Sequence, residues 1–331
     1  MKIIEHFAFL EARYRLRAAL DNFQSGHMIF IIGPSGAGKT TLRHSVMREV
    51  FGNPLRWGTG KIPVIETFAK LPHNAYFSSR ELVKALIYET QSPNLTWLLR
   101  DTRLSLDVID GILKDLADST KVSGLLPLRH MTEGDHWKAL SRTLKTRGCR
   151  FLSIDQVTAL LKNRRDTSPS DHTKHLMFFA EENELMFIMT GVHEAALLWD
   201  IHSELRRRVT TVWLPPYSPR RKKDQEHFLR LLKSISTWHS FSPRDLPYRM
   251  AHDVLAATGG VIGEITKLFE RAVQSARLNG QPSIHRRDIE DSYYNQRDLE
   301  TLWRNVQSFE ETMEVGSVTA RASQIAARWS H

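Results

Sequence analysis

The apolar positions of this chain fall into two regimes. Up to residue 214, short solid apolar runs alternate with stretches in which apolar residues recur every three or four positions. The runs are the one inside "HMIFIIGPSGAGKTTL", then "IPVIET" (62–67), "FLSID" (151–155), "LMFIMT" (185–190) and "VTTVWL" (209–214). Runs of this length and make-up predict buried strands. Helical spacing covers 5–24, through Phe7, Leu10, Tyr14, Leu16, Leu20 and Phe23, and returns over 78–90, 104–118, 135–147 and 171–184. Strands separated by helices predict a parallel sheet covered on both faces.

The pattern changes at "LPPYSP" (214–219), where two adjacent prolines and a third make a stiff connector. Beyond it the spacing predicts only helices, over 220–237, 247–257, 262–279 and 286–306, with "TGG" and "NGQPS" as breaks. An α/β unit followed by a smaller helical unit is the expected organisation, and residues 307–331 read as a tail.

The junction of the first strand with the next helix carries the chemistry. "GPSGAGKT", Gly33 to Thr40, fits G-x-x-x-x-G-K-[ST] between a strand and a helix, which is the context a phosphate-binding P-loop requires. Gly33, Pro34, Ser35, Gly36, Ala37 and Gly38 form the loop, and Gly36 and Gly38 let backbone N–H groups turn inward around phosphates. The helix that starts near Lys39 aims its positive end at them. Lys39 is placed to reach the β- and γ-phosphates, the Thr40 hydroxyl to ligate Mg²⁺, and Thr41 completes the cradle. These features predict ATP and Mg²⁺ as ligands.

A P-loop site needs a second carboxylate at the end of a neighbouring strand. Asp155 ends "FLSID", where ligands bind in open α/β sheets, although an Asp there can also cap the following helix. Thr190 ends the next strand, placed either for the γ-phosphate and attacking water (sensor 1) or for backbone contact alone. After Asp155 stands Gln156, at the position of a general base. An amide can hydrogen-bond water but cannot take its proton. The chain is then an ATPase with a weak or blocked hydrolytic step, either a naturally slow switch or a form held in its ATP state by substitution.

Composition adds direction rather than detail. Of 331 residues, 41% are apolar and 25% charged, as in ordinary globular proteins, and no run reaches the 18 or so apolar residues of a membrane span. One cysteine, Cys149, excludes an internal disulfide and a multi-cysteine zinc site, an expectation that suits a reducing cytoplasm. The balance of 46 basic and 37 acidic residues, net +9, favours a polyanionic partner. "HTKH" (His172, His175) lacks a further ligand and reads as a helix surface.

In order and spacing these parts resemble an AAA+ ATPase, and more narrowly the TniB/TnsC family of transposition regulators. The resemblance rests on "GPSGAGKTTL", "FLSIDQVTALL", "MFIMTGVHEA", "ELRRRVTTVWLPPY" and "TGGVIGEITKLFERAV", and spans about residues 5 to 290. It implies an N-terminal helix over 1–25, an AAA+ P-loop NTPase domain over 26–214 with its parallel sheet flanked by helices, a small α-helical lid over 215–306 and a C-terminal tail over 307–331. It further implies a homo-oligomer, ring or filament, that assembles on double-stranded DNA in its ATP form. Such an assembly would serve a transposase and a target-selection protein. Arg208, or else Arg207, matches the arginine that acts in trans on a neighbour's γ-phosphate, and Lys267 is a candidate second sensor. Lys70, Arg80, Lys162, Arg164 and Arg165 are candidate phosphate-backbone contacts. A replication initiator or helicase loader is the alternative within the same fold.

Overall fold

The computed structural model describes residues 6–70, 76–99, 106–122, 131–162, 168–199 and 202–313. Arg164 and Arg165 lie outside these residues, as does most of the expected tail. Five strands form, β1 (Met28–Ile32), β2 (Val64–Phe68), β3 (Phe151–Asp155), β4 (Met186–Gly191) and β5 (Val209–Trp213), each within one or two residues of an apolar run. All pair in parallel in the order β2-β3-β4-β1-β5. Strands β1, β3 and β4 are buried along their whole length, as parallel strands covered on both faces must be.

The helices follow the expected spacing. In the first unit they are α1 (Phe7–Asp21), α2 (Lys39–Phe51), α3 (Ser79–Gln91), α4 (Thr96–Leu99), α5 (Leu106–Val122), α6 (Glu133–Arg147), α7 (Pro169–Glu182) and α8 (Ser203–Arg207). Several ends are set by local chemistry. Thr132 and Asp135 form a reciprocal capping box at the start of α6, and Gly148 closes that helix in the left-handed conformation at φ 61°. Pro169 occupies the first turn of α7, where a missing N–H costs nothing. Helix α1 lies against α2 and β5, α3 against α6 and β2, and α7 against the 3₁₀ turns that follow β3 and β4. One apolar core joins these layers. His172 and His175 on α7 sit edge-on to Phe77 and Trp137, with His172 partly buried and His175 exposed, as on a helix surface.

The chain after Leu214 folds around a second core of its own, centred on Phe228, Leu232, Val254, Leu268, Phe269 and Ile289. Its helices are α9 (Lys222–Ile235), α10 (Leu246–Arg249), α11 (Ala251–Thr258), α12 (Ile262–Leu278), α13 (Arg286–Glu290) and α14 (Gln296–Met313). The pattern over 286–306 reads as one helix, whereas the chain breaks after Glu290 and the final helix continues to Met313. The reason is tertiary. Phe309 is fully buried in the first core, edge-on to Trp213 with ring centroids 5.8 Å apart, while Trp303 Nε1 donates to the carbonyl of Ala256 in α11. Helix α14 therefore touches both units. Truncating a buried phenylalanine typically costs about 3–5 kcal/mol. Phe309→Ala is expected to lower unfolding free energy by about that amount in urea denaturation. A loss below about 1 kcal/mol would show that the end of α14 is not docked.

A candidate nucleotide site at the carboxyl ends of the strands

The loop after β1 is built for close backbone approach to an anion. Gly36 and Gly38 have φ of 79° and 90°, the left-handed region that L side chains avoid, and a Cβ at Gly38 would meet nothing within 4 Å. Gly38 is also the N-cap of α2, so the helix begins at Lys39 with its first N–H groups facing the loop. Lys39 Nζ donates to the carbonyls of Gly33 and Pro34, both at 2.8 Å. Burial pushes its pKa down to about 8, against a smaller upward pull from Asp155.

Across the mouth of this loop, Thr40 Oγ1 donates to Asp155 Oδ2 at 3.0 Å. The expected metal-binding pair is thus in contact, and Asp155 Oδ1 accepts from the Gln156 N–H at 2.8 Å. A hydroxyl and a carboxylate beside a cradle of backbone N–H groups and one lysine are the hard-oxygen donors that suit Mg²⁺ bound with a polyphosphate. The donor chemistry fits both ligands. Among the described residues no separate group of three His, Cys, Asp or Glu is arranged to hold a metal.

A cavity of about 820 Å³ opens here, bounded by the loop, Lys39, Thr40, Thr41, Asp155, Gln156 and Thr190. Gln156 is exposed toward it and holds a left-handed backbone conformation, φ 57°, that is uncommon for a residue with a side chain. Thr190 is fully buried and accepts from Arg43 at 3.4 Å. The second unit supplies Ile262, Gly263 and Thr266 to the cavity wall. Gly263 N–H donates to the Gly36 carbonyl at 3.0 Å, and a Cβ on Gly263 would sit 2.5 Å from that oxygen. Only glycine permits this approach of α12 to the phosphate loop.

Other candidates are placed elsewhere. Lys267 is turned to Glu264, at 3.1 Å, and is outside the cavity wall; Glu264 in turn accepts from the Tyr294 hydroxyl. Arg207 is exposed and Arg208 pairs with Glu181 at 2.8 Å. Both precede β5, at the opposite end of the sheet from the loop, because Met28 at the start of β1 bonds to the Arg208 carbonyl. At roughly 3.3 Å per strand residue, neither arginine reaches the cavity of its own chain. Lys70, Arg80 and Lys162 are exposed; Phe77 N–H bonds to the Lys162 carbonyl at 2.7 Å, and Arg80 donates to the Met131 carbonyl at 3.1 Å.

Several cavity residues were not singled out from the sequence, His6, Phe9 and His44 among them. His6 and Phe9 line it from the start of α1; burial lowers the His6 pKa to about 4, so the ring is neutral at pH 7. His44 lines it from α2, one turn beyond Thr40. The spacing of "TTLRH" on a helix, with Thr40 and His44 four apart, is the signal that points to the last.

Fold and site define a class: this is the AAA+ P-loop NTPase fold, a parallel sheet in the order β2-β3-β4-β1-β5 flanked by helices, with the phosphate loop after β1. No protein-family model and no curated protein matches the chain by sequence. Among solved structures it is similar to the ORC2 protein of Aeropyrum pernix in its ADPNP–ADP complexes, with a TM-score of 0.50 at 15% identity over 89% of this chain and 70% of that one. The ADP form of the same protein superposes with a TM-score of 0.54 at 14% identity, over 88% and 70% of the two chains. At these identities the likeness is one of fold.

The lowered Lys39 pKa gives a signed prediction. A polyphosphate favours the charged amine, so binding must raise that pKa and take up a proton where free Lys39 is partly neutral. Affinity for ATP is expected to fall as pH rises above about 8. Titration calorimetry at pH 8.5 in two buffers of different ionisation enthalpy should register net proton uptake. Zero uptake would mean that Lys39 does not meet the phosphates.

Proposed function

We propose that this chain is an ATP-binding, DNA-associated AAA+ ATPase. In this reading it assembles as a homo-oligomer on double-stranded DNA and presents the marked site to a transposase delivered with a target-selection protein. The observation that carries the nucleotide reading is the Thr40–Asp155 contact across a glycine cradle that ends in Lys39. Backbone N–H groups of the loop and the start of α2 hold the phosphates, and Lys39 exchanges its two carbonyl partners for phosphate oxygens. Thr40 and Asp155 are the residues that would hold Mg²⁺, which when bound would supply a Lewis acid to offset the phosphate charge. Thr190 orients water from the end of β4. Gln156 orients it from the end of β3 without accepting its proton, so turnover is slow.

The assembly reading is supported by the position of Arg208. Arg208 does not reach the cavity of its own chain and stays partly exposed beside Glu181, so a role at a γ-phosphate requires the site of a neighbouring copy. The DNA reading is supported by the net charge of +9 and by the exposed Lys70, Arg80 and Lys162. The transposition role is supported by the motif resemblance alone. The likeness to an ORC2 protein favours a second reading, a replication-initiator or helicase-loader type of AAA+ protein. The two part on the partner: the first couples to strand transfer by a transposase, the second to loading of a helicase.

The test is binding to a mixed-sequence duplex with Mg²⁺ plus ATP or ADP across a salt series, with complex size read by light scattering. Large, salt-sensitive complexes with ATP alone are expected. Binding that ignores the nucleotide, or no binding at all, would remove the DNA switch and leave an ATP-binding protein with another partner. In the same assay Arg208→Ala should keep ATP affinity and lose the large complexes; unchanged complexes would move the trans role to Arg207 or abolish it. Gln156→Glu should raise ATP turnover by about 10²–10⁴-fold, the usual contribution of a general base. Flat turnover would take residue 156 out of the base position.

A further inference from the structure

Beneath the cavity lies a buried ion cluster that none of the motif residues explains. Arg43, on α2 and fully buried, bonds through Nη2 to Glu66 Oε1 at 2.6 Å and to Asp155 Oδ2 at 3.1 Å, and through Nη1 to the Thr190 hydroxyl at 3.4 Å. One guanidinium therefore holds the carboxylate of β3 and the hydroxyl of β4 that face the cavity. Asp155 Oδ2 is the oxygen that also accepts from Thr40. Glu66 sits in the middle of β2, with its side chain 1% exposed, in a strand otherwise made of apolar residues and Thr67. His44 Nε2 is 2.9 Å from both Glu66 oxygens and donates to them, leaving its Nδ1 buried and without a partner.

Charge placement gives this cluster a role. A cation in contact with Asp155 opposes a second cation at the same carboxylate, so Arg43 alone would weaken Mg²⁺ binding. Glu66 shares the same Nη2 of Arg43 and offsets its charge, which returns the negative charge of Asp155 to the cavity. We propose that Arg43 and Glu66 tune the metal site by charge without touching the metal: Arg43, held against Asp155, opposes Mg²⁺, and Glu66, by neutralising Arg43, sets how strongly the site takes it. This rests on the nucleotide reading of the same cavity. It adds that the Mg²⁺ requirement of the site is set by a residue on β2 that touches neither metal nor nucleotide.

The opposite signs of the two charges make the idea testable without turnover. The assay is equilibrium binding of a fluorescent ATP analogue to the full chain, first in EDTA and then along a Mg²⁺ titration. Glu66→Gln keeps an acceptor for Arg43 but removes the compensating charge. The Mg²⁺ midpoint should rise roughly tenfold, the effect of one uncompensated unit charge near a divalent ion. Binding of the analogue in EDTA should be as tight or tighter, because the cavity has become more positive. Arg43→Gln removes the cation instead, so its Mg²⁺ midpoint should fall while binding in EDTA weakens; it also serves if Glu66→Gln does not fold.

A midpoint unchanged within twofold in the variant that folds would overturn the proposal and leave the cluster as a structural ion pair. So would a parallel loss of binding with and without Mg²⁺, since damage to the fold moves both together. No binding of the analogue by the unaltered chain at any Mg²⁺ concentration would overturn the nucleotide reading itself, and this inference with it. A Mg²⁺-dependent unaltered chain with an insensitive variant overturns the inference alone.

Discussion

Charge has to be carried into the interior of this molecule for the site to exist, and Arg43 is where that constraint is met. Its guanidinium is sealed from solvent and joins α2 to β2, β3 and β4 through Glu66, Asp155 and Thr190. An unpaired ion in such a place would cost several kcal/mol, so the partners stabilise one another. The sheet order then acquires a chemical reason as well as a packing one. Glu66, Asp155 and Thr190 come from consecutive neighbours in the sheet, while Arg43 comes from the helix that the phosphate loop launches. The loop, the Asp155 carboxylate and the buried Thr190 hydroxyl are consequently fixed relative to one another before any ligand arrives, which is the condition for electrostatic preorganisation.

The second unit is tied to the same place. Gly263 bonds to Gly36, and Gly260, at φ 69°, brings its carbonyl to the Tyr217 N–H at 2.9 Å. A Cβ on Gly260 would fall 2.1 Å from the Tyr217 carbonyl oxygen, so the turn before α12 can lie against the connector only as glycine. The wall of the cavity that the lid provides is uncharged, made of Ile262, Gly263 and Thr266, with the charged Lys267 and Glu264 paired to each other beside it. A backbone hydrogen bond thus ties the start of α12 directly to the loop after β1.

What could be read from the sequence follows from how local each signal is. The P-loop, the five strands and Asp155 are encoded in contiguous stretches, because a glycine turn between strand and helix, or an apolar run ending in a carboxylate, is complete within about ten residues. Arg43 and Glu66 are 23 residues apart and each looks unremarkable in its own window; only the pairing of α2 with β2 makes them a cluster. Lys267 was legible as a basic residue on a lid helix, but which way it turns depends on Glu264 three residues earlier. The end of α14 was misjudged for a similar reason. Its last two turns carry Glu310 and Glu311 among few apolar residues, and the one that decides the matter, Phe309, finds its partner Trp213 in another part of the chain.

Helix α14 also changes what kind of joint the molecule has. The helical unit leaves the α/β unit at Leu214 and Tyr217, and its final helix comes back to dock Phe309 beside Trp213. A body attached at one point can swing in any direction; a body pinned at two can turn only about the line between the pins. Here the pins exceed two, because Gly263 bonds to Gly36 and Phe7 of α1 stacks on His227 of α9 with ring centroids 3.9 Å apart, so no single axis is left free and the helical unit is braced against the mouth of the cavity.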